Sequence, residues 1–571
     1  MLPTENRTLP HQPAGFDTLS EALDYAAAGE TGVNFYSSLG ILDQVLTYSE
    51  LRERAIAVGL RLRGMGLSRG DRVAIIAETG PDFLSVFYGC QYVGLVPCPL
   101  PYTAYMGGRD SYVSRLAGLA TSSAADILCT PENLGEIADD VSRRSGIRCT
   151  TFQAIMAGAP TGQIEPSAPD DIAYIQFSSG STARPKGIPV TQKAVSANAF
   201  GIARQALELK PHDRAFSWLP LYHDMGLVGF SIVPLSSQSS VDYLSASAFA
   251  RRPNLWVKLM SANGTTITYA PTFGYQLAAQ RFDQATGPVD LSRLRVAGIG
   301  GDMIRPDVLE TYASIMSAHG FDAGAFTPSY GMAESTLAIT FAHGVRVDRV
   351  DRRACISRQI ALPVKDLAAS DGEVREFVVC GQPLDGHELQ VVQNGQQLQD
   401  RHIGHVLVRG PSLMQGYDRD AEATEAVMRS DGFMDTGDLG YMIDGEVVIT
   451  GRSKDLVLHR GRNIWPEDIE WTAEAIARSN PGSVAAFGIE NIDGEEEIIL
   501  LVECKLGDPS ERETLCRNIS AAISETVGAA CKIVLVAPKT LKLTSSGKLM
   551  RSAAREEYIT GIIRPIETLS K

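Results

Sequence analysis

The chain has 571 residues, 44% hydrophobic and 21% charged, a globular composition too long for one simple core, which predicts two or three domains. Its 52 Lys and Arg against 67 Asp and Glu leave a formal charge of −15, which argues against a surface devoted to nucleic acid or an anionic membrane. The longest apolar run, 225–235, is far shorter than the ~20 residues of a membrane span, residues 1–16 have no signal-like apolar core, and nine scattered cysteines without Cys-x-x-Cys read as free thiols of a cytoplasmic protein.

Thr47-Tyr48-Ser49-Glu50 has the spacing of a capping box, and Leu51, Ala55, Val58 and Leu62 then recur on one helical face until Gly64 and Gly66 stop it. Residues 72–77 read as a strand, Pro81 opens a helix, 94–101 is a strand ending in proline-rich turns, 112–119 a helix and 126–129 a strand. This alternation predicts an α/β region with a parallel sheet covered on both faces.

A short buried strand at 172–176 leads into the loop 177–187, which holds Ser178, Ser179, Gly180, Ser181, Thr182 and Lys186, and Thr191 is an N-cap for a helix through Asn198. A loop between strand and helix can aim backbone N–H groups, hydroxyls and a lysine at polyphosphate oxygens; an ordinary turn closed by Pro185 is the competing reading. The spacing is not Walker A, since the lysine precedes the second glycine.

Downstream, His223-Asp224 stands before a glycine-rich apolar helix, a pair that is also common as plain structure. The strand 294–299 runs into Gly300, Gly301 and Asp302, where small residues let a flat ring approach the backbone. Tyr330, Gly331 and Met332 then offer an aromatic face, and Glu334 a carboxylate able to hold Mg2+ against phosphate oxygens. Residues 345–376 read as an exposed insertion, with a solvated hairpin as the alternative. Strands at 405–410 and 446–451 form a β-rich section with Asp435 and Asp438 flanking a turn between them. From 465 onward the pattern is α+β, with a mobile basic loop at 538–551.

In this order the motifs resemble the AMP-forming adenylating enzymes, the superfamily of acyl-CoA synthetases, luciferases and adenylation domains. Within it the chain looks most like the fatty acyl-AMP ligases, through residues 221–226, the insertion after Glu334, 461–470 and 544–549. The resemblance implies an α/β fold: a large N-terminal region, 1–453, of packed mixed and parallel sheets flanked by helices with a β-rich subdomain, and a small mobile α+β domain, 454–571, hinged at Lys454-Asp455. It implies that ATP and Mg2+ convert a fatty acid to acyl-AMP and pyrophosphate, and that the acyl group then passes to the thiol of a separate acyl carrier protein.

By the same resemblance, the 178–182 hydroxyls and Lys186 embrace the β- and γ-phosphates and Glu334 holds Mg2+. Tyr330 stacks on adenine beside Gly300, Gly301 and Asp302, with Gly331 and Met332 in the nucleotide set. Asp438 and Arg452 take the ribose, Lys548 bridges carboxylate and α-phosphate, and His223 lines the junction with the acyl tunnel. The carrier is expected near Arg460, Arg462, Lys542 and Arg551 through charge complementarity. Lys186 is shared with many acyl-CoA synthetases, which keeps such a synthetase as the alternative; a non-catalytic nucleotide or acyl binder is the other.

Overall fold

The computed structural model describes residues 1–3, 9–102, 108–177, 186–283, 287–364, 374–459, 462–490, 496–544 and 547–566. Ser178, Ser179, Gly180, Ser181, Thr182 and Arg460 lie outside them, as does the side chain of Arg462.

The capping box forms as its spacing predicts: Thr47 Oγ1 accepts from Glu50 N, the Glu50 carboxylate accepts from Thr47 N, and the helix Tyr48–Gly64 buries Leu51, Ala55, Val58 and Leu62. That helix packs on Pro81–Tyr92 over a four-stranded parallel sheet in the order Val96–Leu100, Arg72–Ile76, Ile127–Thr130, Arg148–Thr151. Apolar residues alternate toward both faces of these strands, so helices must cover each side.

Among the described residues the largest sheet has nine strands. Its body is parallel, running Phe326–Gly331, Val296–Ile299, Ile267–Ala270, Arg214–Ser217, Ser240–Leu244 and Gly32–Tyr36, with antiparallel strands at either edge. Parallel strands all point the same way, so the loops after Ile299 and Gly331 open on one edge of the sheet. Beyond it lies an antiparallel sheet in which Gly404–Arg409, Met434–Ile443 and Glu446–Arg452 are neighbours. The small C-terminal α+β domain has the strands Val484–Glu490, Glu496–Glu503 and Cys531–Val536, with Pro466–Ala477 and Pro509–Thr526 packed together on it.

Three expectations change. The strand before the phosphate-type loop, Ile172–Phe177, does not lead directly to a helix: it pairs antiparallel with Gly187–Thr191, and the Thr191-capped helix Gln192–Phe200 starts only after that second strand. Ile188, Val190 and Thr191 are β-branched, which suits the second strand to that pairing. The insertion is not simply exposed, since Val347–Asp351 pairs with Val374–Val378, and Val350, Cys355 and Phe377 join Leu439, Tyr441 and Trp465 in one buried cluster. Asp435 and Asp438 sit within the strand Met434–Ile443, where Gly437 takes φ +74.

Candidate active site

A cavity of about 1200 Å3 opens where the ends of the parallel strands meet the antiparallel sheet and the C-terminal domain. Val296–Ile299 delivers Gly300 and Gly301 to its floor. A Cβ at Gly301, where φ is +85, would stand 3.0 Å from Met225 Cε and 4.0 Å from Lys548 Nζ, so a side chain there would fill the space beneath the lysine. Asp302 is held beside them by Thr272, whose N–H donates to Asp302 Oδ1 at 2.9 Å.

The strand Phe326–Gly331 brings Tyr330. Its hydroxyl donates to Asp438 Oδ2 at 2.7 Å, and Arg452 Nε donates to Asp438 Oδ1 at 3.2 Å, so residues from three strands form one connected group around the buried Asp438 carboxylate. Asp438 and Arg452 face each other because Met434–Ile443 and Glu446–Arg452 pair in that register. Gly331 permits a close antiparallel approach: a Cβ would lie 1.9 Å from Leu337 O. Met332 follows on the cavity wall, and the short turn Ala333–Ser335 presents Glu334, whose Oε1 accepts from Tyr417 Oη at 2.9 Å. His223 Nδ1 lies 2.5 Å from Asp224 Oδ1, at the start of the helical stretch that bears Met225.

Lys548 lines the same cavity, and among the described residues its ammonium makes no ion pair. Burial holds its pKa below the ordinary lysine range; the carboxylates of Asp224, Asp302 and Asp438 oppose that shift, and Arg452 adds to it. Burial also works against ionisation of Asp224, but His223 and Lys548 outweigh it and leave its pKa below the usual carboxylate value. Asp302, Glu334 and Asp438 go the other way, each raised mainly by burial. The arrangement is a set of desolvated charges around an aromatic ring, with apolar walls that include Phe230, Phe273, Leu277, Leu337 and Phe341.

Of the residues singled out from sequence, Lys186, His223, Gly300, Gly301, Asp302, Tyr330, Gly331, Met332, Glu334, Asp438, Arg452 and Lys548 all line this one cavity. Arg551 does not behave as a docking residue. Its side chain is 19% exposed, and the guanidinium spends its donors on Glu470 (2.7 and 2.8 Å), Glu467 (2.9 Å) and Asp455 (2.8 Å). Lys542 is exposed and paired with Glu557. Sequence reasoning missed Asp224 as the carboxylate acting most strongly on Lys548, and it missed Tyr417 altogether; Gly416-Tyr417 in a loop has no periodicity to mark it.

Among the described residues no group of three or more His, Cys, Asp or Glu could cage a metal. A single half-buried carboxylate such as Glu334 fits a Mg2+ shared with phosphate oxygens, the usual arrangement for that ion. No helix among the described residues is long and apolar enough to cross a membrane.

A cavity that gathers an aromatic ring, a carboxylate–arginine pair and a lysine from the C-terminal domain suits an adenylate-forming, ATP-using ligase. The chain belongs to the AMP-binding enzyme family, whose profile matches residues 32–418. It is 43% identical over 557 residues, covering 96% of both chains, to a Caulobacter vibrioides (strain NA1000 / CB15N) protein named "Putative acyl-CoA synthetase". It is 30% identical over 577 residues, again 96% of both, to the medium-chain-fatty-acid–acyl-carrier-protein ligase JamA of Moorena producens (strain JHB). A structure from work on fatty acyl-adenylate ligases of E. coli and L. pneumophila superposes with a TM-score of 0.92 at 38% identity, covering 97% of this chain and all of that one.

Proposed function

We propose that the protein activates a medium- or long-chain fatty acid with ATP and transfers it to the phosphopantetheine thiol of an acyl carrier protein. The observation that carries this reading is the convergence of Lys548 with Asp224, Asp302 and the Tyr330–Asp438–Arg452 group on one cavity with apolar walls. The acid's carboxylate oxygen attacks the α-phosphorus, the bond to the β-phosphate oxygen breaks, and pyrophosphate leaves. Bringing two anions together is the difficulty, and Lys548 answers it as a compact cation between them.

In this reading Tyr330 and Gly300 to Asp302 seat the adenine, Gly331 and Met332 line its edge, Asp438 and Arg452 take the ribose, and His223 stands where the acyl chain meets the phosphate. Lys186 and residues 178–182 embrace the departing pyrophosphate, and Glu334 would hold Mg2+, which neutralises phosphate charge. The domain boundary falls at 453/454 with Lys454-Asp455 as hinge, so that Lys548 can withdraw before the thiol attacks the acyl carbonyl and AMP leaves. The carrier docks toward Arg460, Arg462 and Lys542, without Arg551. A cytoplasmic setting accords with nine free cysteines.

A second reading, an acyl-CoA synthetase, is favoured by the name of the Caulobacter relative and by Lys186. One experiment separates them. Pyrophosphate release is measured across a series of saturated acids, and the products with CoA and with a holo-carrier are weighed by mass spectrometry. Acid-dependent pyrophosphate with acyl-carrier and no acyl-CoA supports the proposal, abundant acyl-CoA favours the synthetase, and no pyrophosphate with any acid points to a binder. Charge reversal at Arg462 and Lys542 should slow loading of the carrier in a salt-dependent way.

A further inference from the structure

We infer that Tyr417 is a positioning residue that keeps Glu334 and Lys186 apart and available to the nucleotide; the inference rests on the roles proposed above for those two residues. Tyr417 Oη donates to Glu334 Oε1 at 2.9 Å, while Lys186 Nζ lies 4.3 Å from the centroid of the same ring. One side chain thus meets a carboxylate with its hydroxyl and an ammonium with its π face. A carboxylate and an ammonium lining one half-buried cavity attract strongly, and with nothing between them they would close into an ion pair that removes both from the site. Tyr417 satisfies each separately. It takes one oxygen of Glu334 and leaves the other for the metal.

The tyrosine is itself fastened at both ends. Its N–H donates to Thr424 Oγ1 at 2.9 Å, and the next residue, Asp418, donates its N–H to Gly187 O at 2.8 Å, directly beyond Lys186. The Asp418 carboxylate is gripped by Arg72 at 2.7 and 2.9 Å. On the other side Met414 N donates to Glu334 O at 2.7 Å and Thr336 Oγ1 donates to Ser412 O at 2.8 Å. Thr336 takes φ +67, a conformation costly for a β-branched residue, and these bonds hold it there. Residues 412–418 therefore form a strap from the Glu334 turn to the strand that follows Lys186.

The test is ATP binding by calorimetry on the full chain, with Mg2+ and with EDTA, for wild type, Tyr417→Phe and Tyr417→Leu, with melting curves alongside. Tyr417→Phe keeps the ring under Lys186 and loses only the donor to Glu334. Its metal-free ATP affinity should stay within about twofold of wild type, while the gain conferred by Mg2+ falls by about tenfold. Tyr417→Leu should lower both. Wild-type binding by both variants overturns the inference, as does an equal loss with and without Mg2+ in Tyr417→Phe, which would mark a structural role. A wild-type protein that binds no ATP overturns the functional reading itself, and one whose ATP affinity ignores Mg2+ overturns the assignment of Glu334.

Discussion

Arg551 Nη1 lies 2.8 Å from Asp455 Oδ2, joining a residue three positions beyond Lys548 to the proposed hinge. The same guanidinium makes a two-pronged contact with Glu470 and a further one with Glu467, both buried on the helix Pro466–Ala477. The loop that bears Lys548 and the proposed hinge are thereby tied to one helix. A flexible loop alone would leave the position of Lys548 to chance.

Arg551→Ala should therefore destabilise the C-terminal domain by about 3 to 5 kcal/mol, because it strands buried carboxylates without their cation. Arg551→Lys restores the charge but not the two-pronged geometry and should recover only part of the loss. Melting curves and pyrophosphate release, measured together, check this.

Lys548→Ala removes the only group proposed to sit between the two reacting anions. Acid-dependent pyrophosphate release should collapse while ATP affinity, assigned in the proposed function to Tyr330, Asp438 and Arg452, persists. Unchanged pyrophosphate release would show the lysine to be misassigned.

Burial lowers the pKa of Lys548, and in the proposed role the ammonium is the active form, so the alkaline limb of kcat/KM should lie below the ordinary lysine value of about 10.4. Asp224 is the carboxylate that most opposes the shift. Asp224→Asn should move the limb to still lower pH, and a limb that does not move would mean that another group titrates there.

Glu474 gives a stability prediction. Burial pushes its carboxyl up to about 7, although the Gly482 N–H and Arg305 favour the ionised form. The folded protein thus holds this proton more tightly than the unfolded chain, so the contribution is full below pH 4.5 and is lost as pH rises toward 7. Glutamine mimics the protonated form and can still accept from Gly482 N, which Glu474 Oε1 meets at 2.9 Å. Glu474→Gln should be more stable than wild type at pH 8, by up to about 3 kcal/mol, and equal to it near pH 4. Melting temperatures at the two pH values decide.

Much of the site was legible because its residues belong to short motifs. Tyr330 and Glu334 lie four apart on one strand end and turn, and Gly300 to Asp302 follow one strand directly, so local chemistry announces them. The capping box at Thr47 was readable for the same reason: its hydrogen bonds close within four residues. The insertion was misjudged because its alternating charges suggest solvent on both sides, whereas Val350 and Cys355 are buried by Tyr441 and Trp465 from distant parts of the chain. Tyr417 left no trace for a similar reason, since its partners stand 83 residues away at Glu334 and farther still at Lys186.

Arg551 draws the line between the two kinds of information. From sequence alone it was one more cation in a basic stretch, equal to Lys542 and fit for a carrier's surface. Sequence determined which chemical groups the chain possesses and which local elements carry them, because propensity, capping and turn formation act over a few residues. Only the tertiary structure decided which charges are spent on each other and which stay free, because a charge's effect depends on distance and burial that no linear spacing records. It turned Arg551 inward onto Asp455, Glu467 and Glu470, and it left Lys548, three residues earlier, free of ion pairs among the described residues and facing the cavity.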